Sequence, residues 1–215
     1  MSFALPDELP ADAGEAAISA AEETAAKLAM LGMTRKSLRL PSLKYAPAAY
    51  IMISCAEAVS NLARFDGVGY GYRAESYGDI NELLENTRGE GFGQEVKRRI
   101  MLGGAALSAD FKEKWFFKAN AARALIKAEL DEALSDIDII LSPTSANPAG
   151  KKTSVNIFDT DKALLPPPLA GLPAISIPEG LYGGNPIGVQ LISARRRDGL
   201  ILYTAERLAE TEAGR

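Results

Sequence analysis

The groups that could do chemistry in this 215-residue sequence are few, and the missing ones narrow the options first. There is no histidine, so neither Ser-His-Asp nor Cys-His catalysis, nor a His-ligated metal, can come from this chain. A single cysteine, Cys55, excludes an intrachain disulfide and any cysteine-cluster metal site. With no imidazole to lower its pKa, Cys55 is expected to be a small packing residue in a helical stretch. Serines and lysines are present, yet none sits in a Gly/Ser-rich run or a Gly-x-Ser-x-Gly elbow. Ser142-Pro143-Thr144-Ser145 follows a strand and could border a pocket, but a turn that stops the strand explains it more simply. What remains are recognition groups, chiefly Arg98 or Arg99 and acids such as Asp161. On residue chemistry alone, the chain lacks a self-sufficient catalytic apparatus.

The elements that must position these groups follow from periodicity. Residues 1–10 contain Pro6 and Pro10 and are expected to be a loop or a cut end. From about Asp12, Ala17, Ala20, Ala21, Thr24, Leu28 and Leu31 recur at helical spacing, and Gly32 stands where a C-cap belongs. This helix is alanine-rich, so it should lie close against a sheet. Residues 34–40 alternate Leu38 and Leu40 with charge and predict a short strand ended by Pro41. A second helical stretch spans 43–66, interrupted near Pro47 and carrying Tyr50. The loop Asp66-Gly67-Val68-Gly69-Tyr70-Gly71-Tyr72-Arg73 suits unusual backbone angles or a close approach, and it does not match a phosphate-binding fingerprint.

Helices are expected at 79–87, 93–107 and 110–134. The last carries Phe111, Trp115, Ala119, Ala122, Ile126, Leu130 and Ala133 as an apolar stripe, its aromatics belonging to the core. Residues 138–141 form a short buried strand, and 145–162 a polar surface excursion. Strands at 174–177 and 188–192 are joined through Tyr182-Gly183-Gly184-Asn185-Pro186, and a final helix covers 198–210. The pattern is α/β: a mixed β-sheet flanked by helices, with no linker marking an independent second domain.

Composition agrees with that class and limits the partners. Hydrophobic residues make up 47%, enough for a sizeable core. Lys and Arg number 24 against 28 Asp and Glu, a net charge of −4, so a generic nucleic-acid binder is disfavoured. Contact with RNA through a partner stays open. No stretch reaches the roughly 18 apolar residues of a membrane span, and the start lacks a basic n-region. The expectation is a cytoplasmic protein with no membrane contact.

Longer runs carry a resemblance. Glu57 to Arg73, Arg88 to Gly103, Asp138 to Thr144, Leu169 to Pro178 and Pro186 to Ile192 strongly resemble, in order and spacing, one group of amidase-signature proteins. These are the A subunits of glutamyl-tRNA(Gln) and aspartyl-tRNA(Asn) amidotransferases. The resemblance covers essentially all 215 residues and implies the C-terminal part of an amidase-signature domain. It also implies a Lys-Ser-Ser triad in a Gly/Ser-rich N-terminal half, for which this sequence has no counterpart.

Carried over residue by residue, the resemblance assigns substrate-binding roles to Tyr50, Arg99 and Asp161. Arg99 would pair with the α-carboxylate of glutamine, as a planar guanidinium does with two parallel bonds. Asp161 would receive the α-ammonium, although Thr160 and the residues from Lys162 to Pro168 depart from the family pattern and Asp159 competes for the role. No cofactor is implied in this chain; ATP and magnesium would be used by a partner subunit. Implied partners are amidotransferase B and C subunits, the missing N-terminal half, glutamine, and tRNA mainly through the partner. The alternatives are a non-catalytic remnant or binding module, and the C-terminal half of another amidase-signature amidohydrolase.

Overall fold

The computed structural model describes residues 1–7, 13–150 and 162–213. Their contacts divide them into two compact units. One comprises the described residues of 1–47, 121–150 and 162–213; the other comprises 48–120. Among the described residues, the first unit is therefore assembled from separated stretches of chain and the second from one.

The first unit is built on a five-stranded sheet in the order β2-β1-β3-β5-β4. Its strands are β1 (Ser2–Ala4), β2 (Thr34–Lys36), β3 (Ile139–Pro143), β4 (Ala174–Tyr182) and β5 (Asn185–Ile192). β1 runs parallel to both β2 and β3, while β5 is antiparallel to β3 and β4. The sheet is thus mixed and flanked by helices, as the sequence implies. Two local expectations are corrected. Residues 2–4 are an interior strand rather than a loop, and the strand after the first helix ends at Lys36 rather than running to Leu40. Phe3 and Ala4 are wholly buried, so three residues suffice when both neighbours supply backbone partners.

Helix α1 (Glu15–Met30) covers one face of this sheet. Ala17, Ala20, Ala21 and Ala25 pack with Leu28 against Ile139, Leu141, Val189 and Leu191, the thin alanine face permitting close approach. Its end is sharply set. The N–H of Gly32 (φ 83) donates to the carbonyl of Ala29, and that of Met33 to Leu28, with Met33 and Leu28 both buried. That is a Schellman termination. The β4–β5 hairpin turns on Gly183 (φ 59) and Gly184 (φ 80), the two left-handed positions of a type I′ turn.

Along β4, alternation sends Ile175, Ile177 and Glu179 toward the helical layer. Glu179 is 4% exposed; it accepts from the Thr24 hydroxyl (2.7 Å) and pairs with the Lys27 ammonium, both on α1. Helix α7 (Asp198–Ala213) contacts β4, β5 and α1. The other face, including Ile140, Ser142 and Ile192, floors a cleft of about 580 Å³ also lined by Leu43 and Leu130.

The triple proline opens the short helix α6 (Pro166–Ala170), where missing N–H groups cost nothing because a first turn leaves them unpaired. Arg123 Nε donates to the carbonyl of Leu169 (2.9 Å) and Arg195 Nη2 to that of Ala170 (2.6 Å), satisfying the helix end.

The second unit is helical, with most of α2 (Ala46–Leu62), all of α3 (Ile80–Gly91) and α4 (Gln94–Leu107), and the start of α5 (Lys118–Asp136). Here the expected aromatic stripe is corrected. Glu113–Phe117 winds as a single π turn, with the Phe117 N–H reaching the carbonyl of Lys112 (3.0 Å). The wider turn breaks the register that runs through Ala119, Ile126 and Leu130. Phe111 (39% exposed) and Trp115 (38%) therefore leave the core and stack on each other, with ring centroids 4.5 Å apart.

Two measurements test the first unit's polar anchors. Glu179→Ala breaks its buried pair with Lys27 and should cost about 3 kcal/mol in urea unfolding, as for other half-broken buried pairs; Glu179→Gln, which keeps the Thr24 bond, should cost less. Asp138 accepts from the Ser2 N–H (2.8 Å) and Arg197 (3.0 Å), tying β1 to the start of β3. The Ser2 N–H foremost, then Arg197, lowers its carboxyl pKa. A lowered folded pKa gives stability that is present above the unfolded value and lost as pH falls through the folded one. Asp138→Asn should therefore destabilise the protein near neutrality, and the gap to the unmodified protein should close on acidification below about pH 4.

Candidate functional site

Tyr50 lies in the first half of α2, Arg99 in the middle of α4, and both belong to the helical unit. What brings them together is a glycine. A Cβ on Gly103 would stand 2.1 Å from the carbonyl oxygen of Cys55, so α4 meets α2 with backbone against backbone at that point. Gly103 is four residues beyond Arg99 and shares its helix face; Ile51 and Cys55 form the buried seam beneath, flanked by Tyr50, Met52 and Leu102. Close helix approach at one turn puts the next turn's long side chain within reach of the facing tyrosine.

The Arg99 guanidinium lies close enough to the Tyr50 phenol to interact with it electrostatically. Its Nε also donates to Glu95 Oε1 (3.1 Å), and the second oxygen of that carboxylate takes a bond from Arg98 Nη1 (3.1 Å). Glu95 sits in the first turn of α4, where the helix dipole favours an acid. Partial burial works against the charge on Arg99, but the bond to Glu95 and the nearby Tyr50 phenol outweigh it, and the pKa moves up. Arg99 is a permanent cation, its side chain 32% exposed and held on its Nε side. A guanidinium held there suits planar recognition of a carboxylate.

Cys55 is wholly buried, and burial raises its thiol pKa, opposed by the charge of Arg99. A neutral thiol behind the tyrosine–arginine pair packs and does not attack. In the first unit, Ser142 lies in β3, and its hydroxyl accepts from Gln190 (2.8 Å). It is a strand residue in a buried polar pair. Among the described residues, no cluster of acids or cysteine could hold a metal ion, and no helix is long and apolar enough to cross a membrane. Asp161 and its competitor Asp159 lie outside the described residues.

Sequence reasoning missed Glu95. The signal was available: an acid three and four residues before two arginines on a helix is placed to pair with both. It also left unexplained why Gly103 ends the Arg88–Gly103 run, which the contact with Cys55 answers.

Comparisons with known proteins establish the family. The Amidase family model matches residues 1–202. The glutamyl-tRNA(Gln) amidotransferase A subunit of Lysinibacillus sphaericus is 44% identical over 198 residues, covering 89% of this chain and 41% of that protein. The same subunit from Pseudomonas putida is 45% identical over 186 residues, covering 84% and 38%. Among solved structures, the glutamyl-tRNA(Gln) amidotransferase A subunit from Thermotoga maritima superposes with a TM-score of 0.71 at 36% identity, covering 97% of this chain and 42% of that one. The chain spans less than half the length of these relatives and corresponds to their C-terminal part. It belongs to the amidase-signature family.

Proposed function

We propose that this chain supplies one wall of the glutamine site in an ammonia-producing amidotransferase A subunit. The observation that carries the reading is the tyrosine–arginine–glutamate constellation of Tyr50, Arg99 and Glu95. Arg99 takes the α-carboxylate of glutamine, Tyr50 steadies the guanidinium, and Asp161 takes the α-ammonium. Opposite charges at the two ends of one amino acid fix its orientation, so the side-chain amide is presented in a single direction.

Hydrolysis of that amide needs a nucleophile this sequence does not contain. In this reading the Lys-Ser-Ser triad belongs to the N-terminal half of the A subunit, which this sequence does not cover. One serine attacks the carboxamide, ammonia leaves, and water releases glutamate from the acyl-enzyme. The chain alone is then inactive. A B subunit, with ATP and magnesium, uses the ammonia to amidate glutamyl-tRNA(Gln), and a C subunit completes the cytoplasmic complex. The tRNA is contacted mainly through the partner. The names of the relatives, all subunits of such an enzyme, support this assignment.

The test is reconstitution. The N-terminal part of the Lysinibacillus sphaericus A subunit, made as a separate polypeptide, should restore ammonia release from glutamine when mixed with this chain. Arg99→Ala should lower kcat/KM in the mixture by about ten- to a hundredfold, the worth of a lost bond to a charged group, chiefly through KM. Arg99→Lys should recover only part of it, since the fork is lost. No ammonia release from a mixture of two folded halves would favour a non-catalytic remnant instead.

A further inference from the structure

Residues 66–90 contain six acids, Asp66, Glu75, Asp79, Glu82, Glu85 and Glu90, against two arginines, a net −4 equal to that of the entire chain. No lysine or arginine among the described residues forms an ion pair with any of the six. The same segment exposes Tyr70 (61%) and Tyr72 (47%). Exposed tyrosines on a floppy loop would mean little, but this loop is built. Arg88 Nη1 donates to the carbonyls of Leu62 (2.7 Å) and Phe65 (3.2 Å). Thr87, wholly buried, accepts from the Ala74 N–H (3.1 Å), and Asn86 reaches the carbonyl of Ser76 (2.9 Å). Gly71 (φ 81) lies on the Phe65 ring, whose Cε2 is 2.5 Å from where a Cβ would be, and Phe65 meets Phe92 at 4.9 Å and Tyr70 edge-on at 6.1 Å.

Tyr72 hydrogen-bonds Glu90 through its hydroxyl and feels the charge of Glu75, so the phenol and the two carboxylates are neighbours. The loop also demonstrates the chemistry such a surface favours. Arg73 lies over the Tyr77 ring at 5.4 Å and donates to its hydroxyl at 2.7 Å. Tyr70 and Tyr72 have no cationic partner of this kind among the described residues. We propose that Tyr70, Tyr72, Glu75 and Glu90 form a docking surface for an arginine-bearing segment of another protein chain. Guanidinium groups stack on the tyrosines and pair with the acids. The charge excludes nucleic acid, which the same carboxylates would repel. Because the tyrosines are held before binding, little ordering entropy is lost on association.

The test titrates the full chain with a synthetic peptide of four arginines spaced by Gly-Ser, followed calorimetrically, with circular dichroism confirming that every variant is folded. Saturable binding is expected, weakening with added salt and weaker for the lysine version of the peptide. The Tyr70→Ala, Tyr72→Ala double variant should bind about tenfold more weakly, the scale of two exposed cation–π contacts. Glu75→Lys, at a fully surface position, should weaken binding without touching the tyrosines. The proposal is overturned if the arginine peptide does not bind saturably, if the variants bind as well as the unmodified chain, or if single-stranded RNA or a glutamate peptide binds there in preference.

Discussion

The candidate site depends on one steric fact, the absence of a side chain at Gly103. Two helices normally stand about 8–10 Å apart, separated by the side chains at their contact. With Gly103 against the Cys55 carbonyl, α2 and α4 come closer than a methyl group would allow. From that contact follow the pairing of Arg99 with Tyr50 and the burial of Cys55 as an unreactive thiol. Glu95, one turn earlier on α4, then holds Arg99 from the other side. Charge, burial and backbone geometry all converge on a single guanidinium.

The runs that carry the family resemblance are explained by such contacts more than by catalysis. Leu169-Ala170-Gly171 is the end of α6, whose carbonyls are taken by Arg123 and Arg195. The Arg88–Gly103 run ties the tyrosine loop through Arg88 and Phe92, then continues into α4. The Glu57–Arg73 run supplies the other half of that assembly through Phe65 and Gly71. Two motifs separated in sequence thus form one packed object.

Much of this was legible in the residues, and the failures have physical causes. Strong punctuation read correctly: Gly32 ended α1, Gly183-Gly184 turned the last hairpin, and alanine spacing gave the close-packed face of α1. Residues 2–4 did not read as a strand, because three residues show no alternation and their burial comes from neighbours distant in sequence. The aromatic stripe misled because a π turn adds one residue to the helical count, which no pattern with a period of about 3.6 anticipates. The chain passes from the first unit to the second within α2 and back within α5, not through a Gly- or Pro-rich linker. At the site, Arg99 and Tyr50 came from the resemblance, whereas their mutual contact is tertiary and invisible in one dimension.

Strand β4 pairs with β5 on one side only, and among the described residues its other edge meets no strand. Nine residues of open edge would ordinarily recruit a strand from any passing chain and seed aggregation. Here the ladder is interrupted twice. Pro178 has no N–H to offer, and the register shift between Pro178 and Leu181, with Gly180 at φ 82, kinks the remainder of the strand. The bend beside the buried Glu179 is thus also a guard on the sheet's edge, leaving an intruding strand only the four residues from Ala174 to Ile177 to pair with in register.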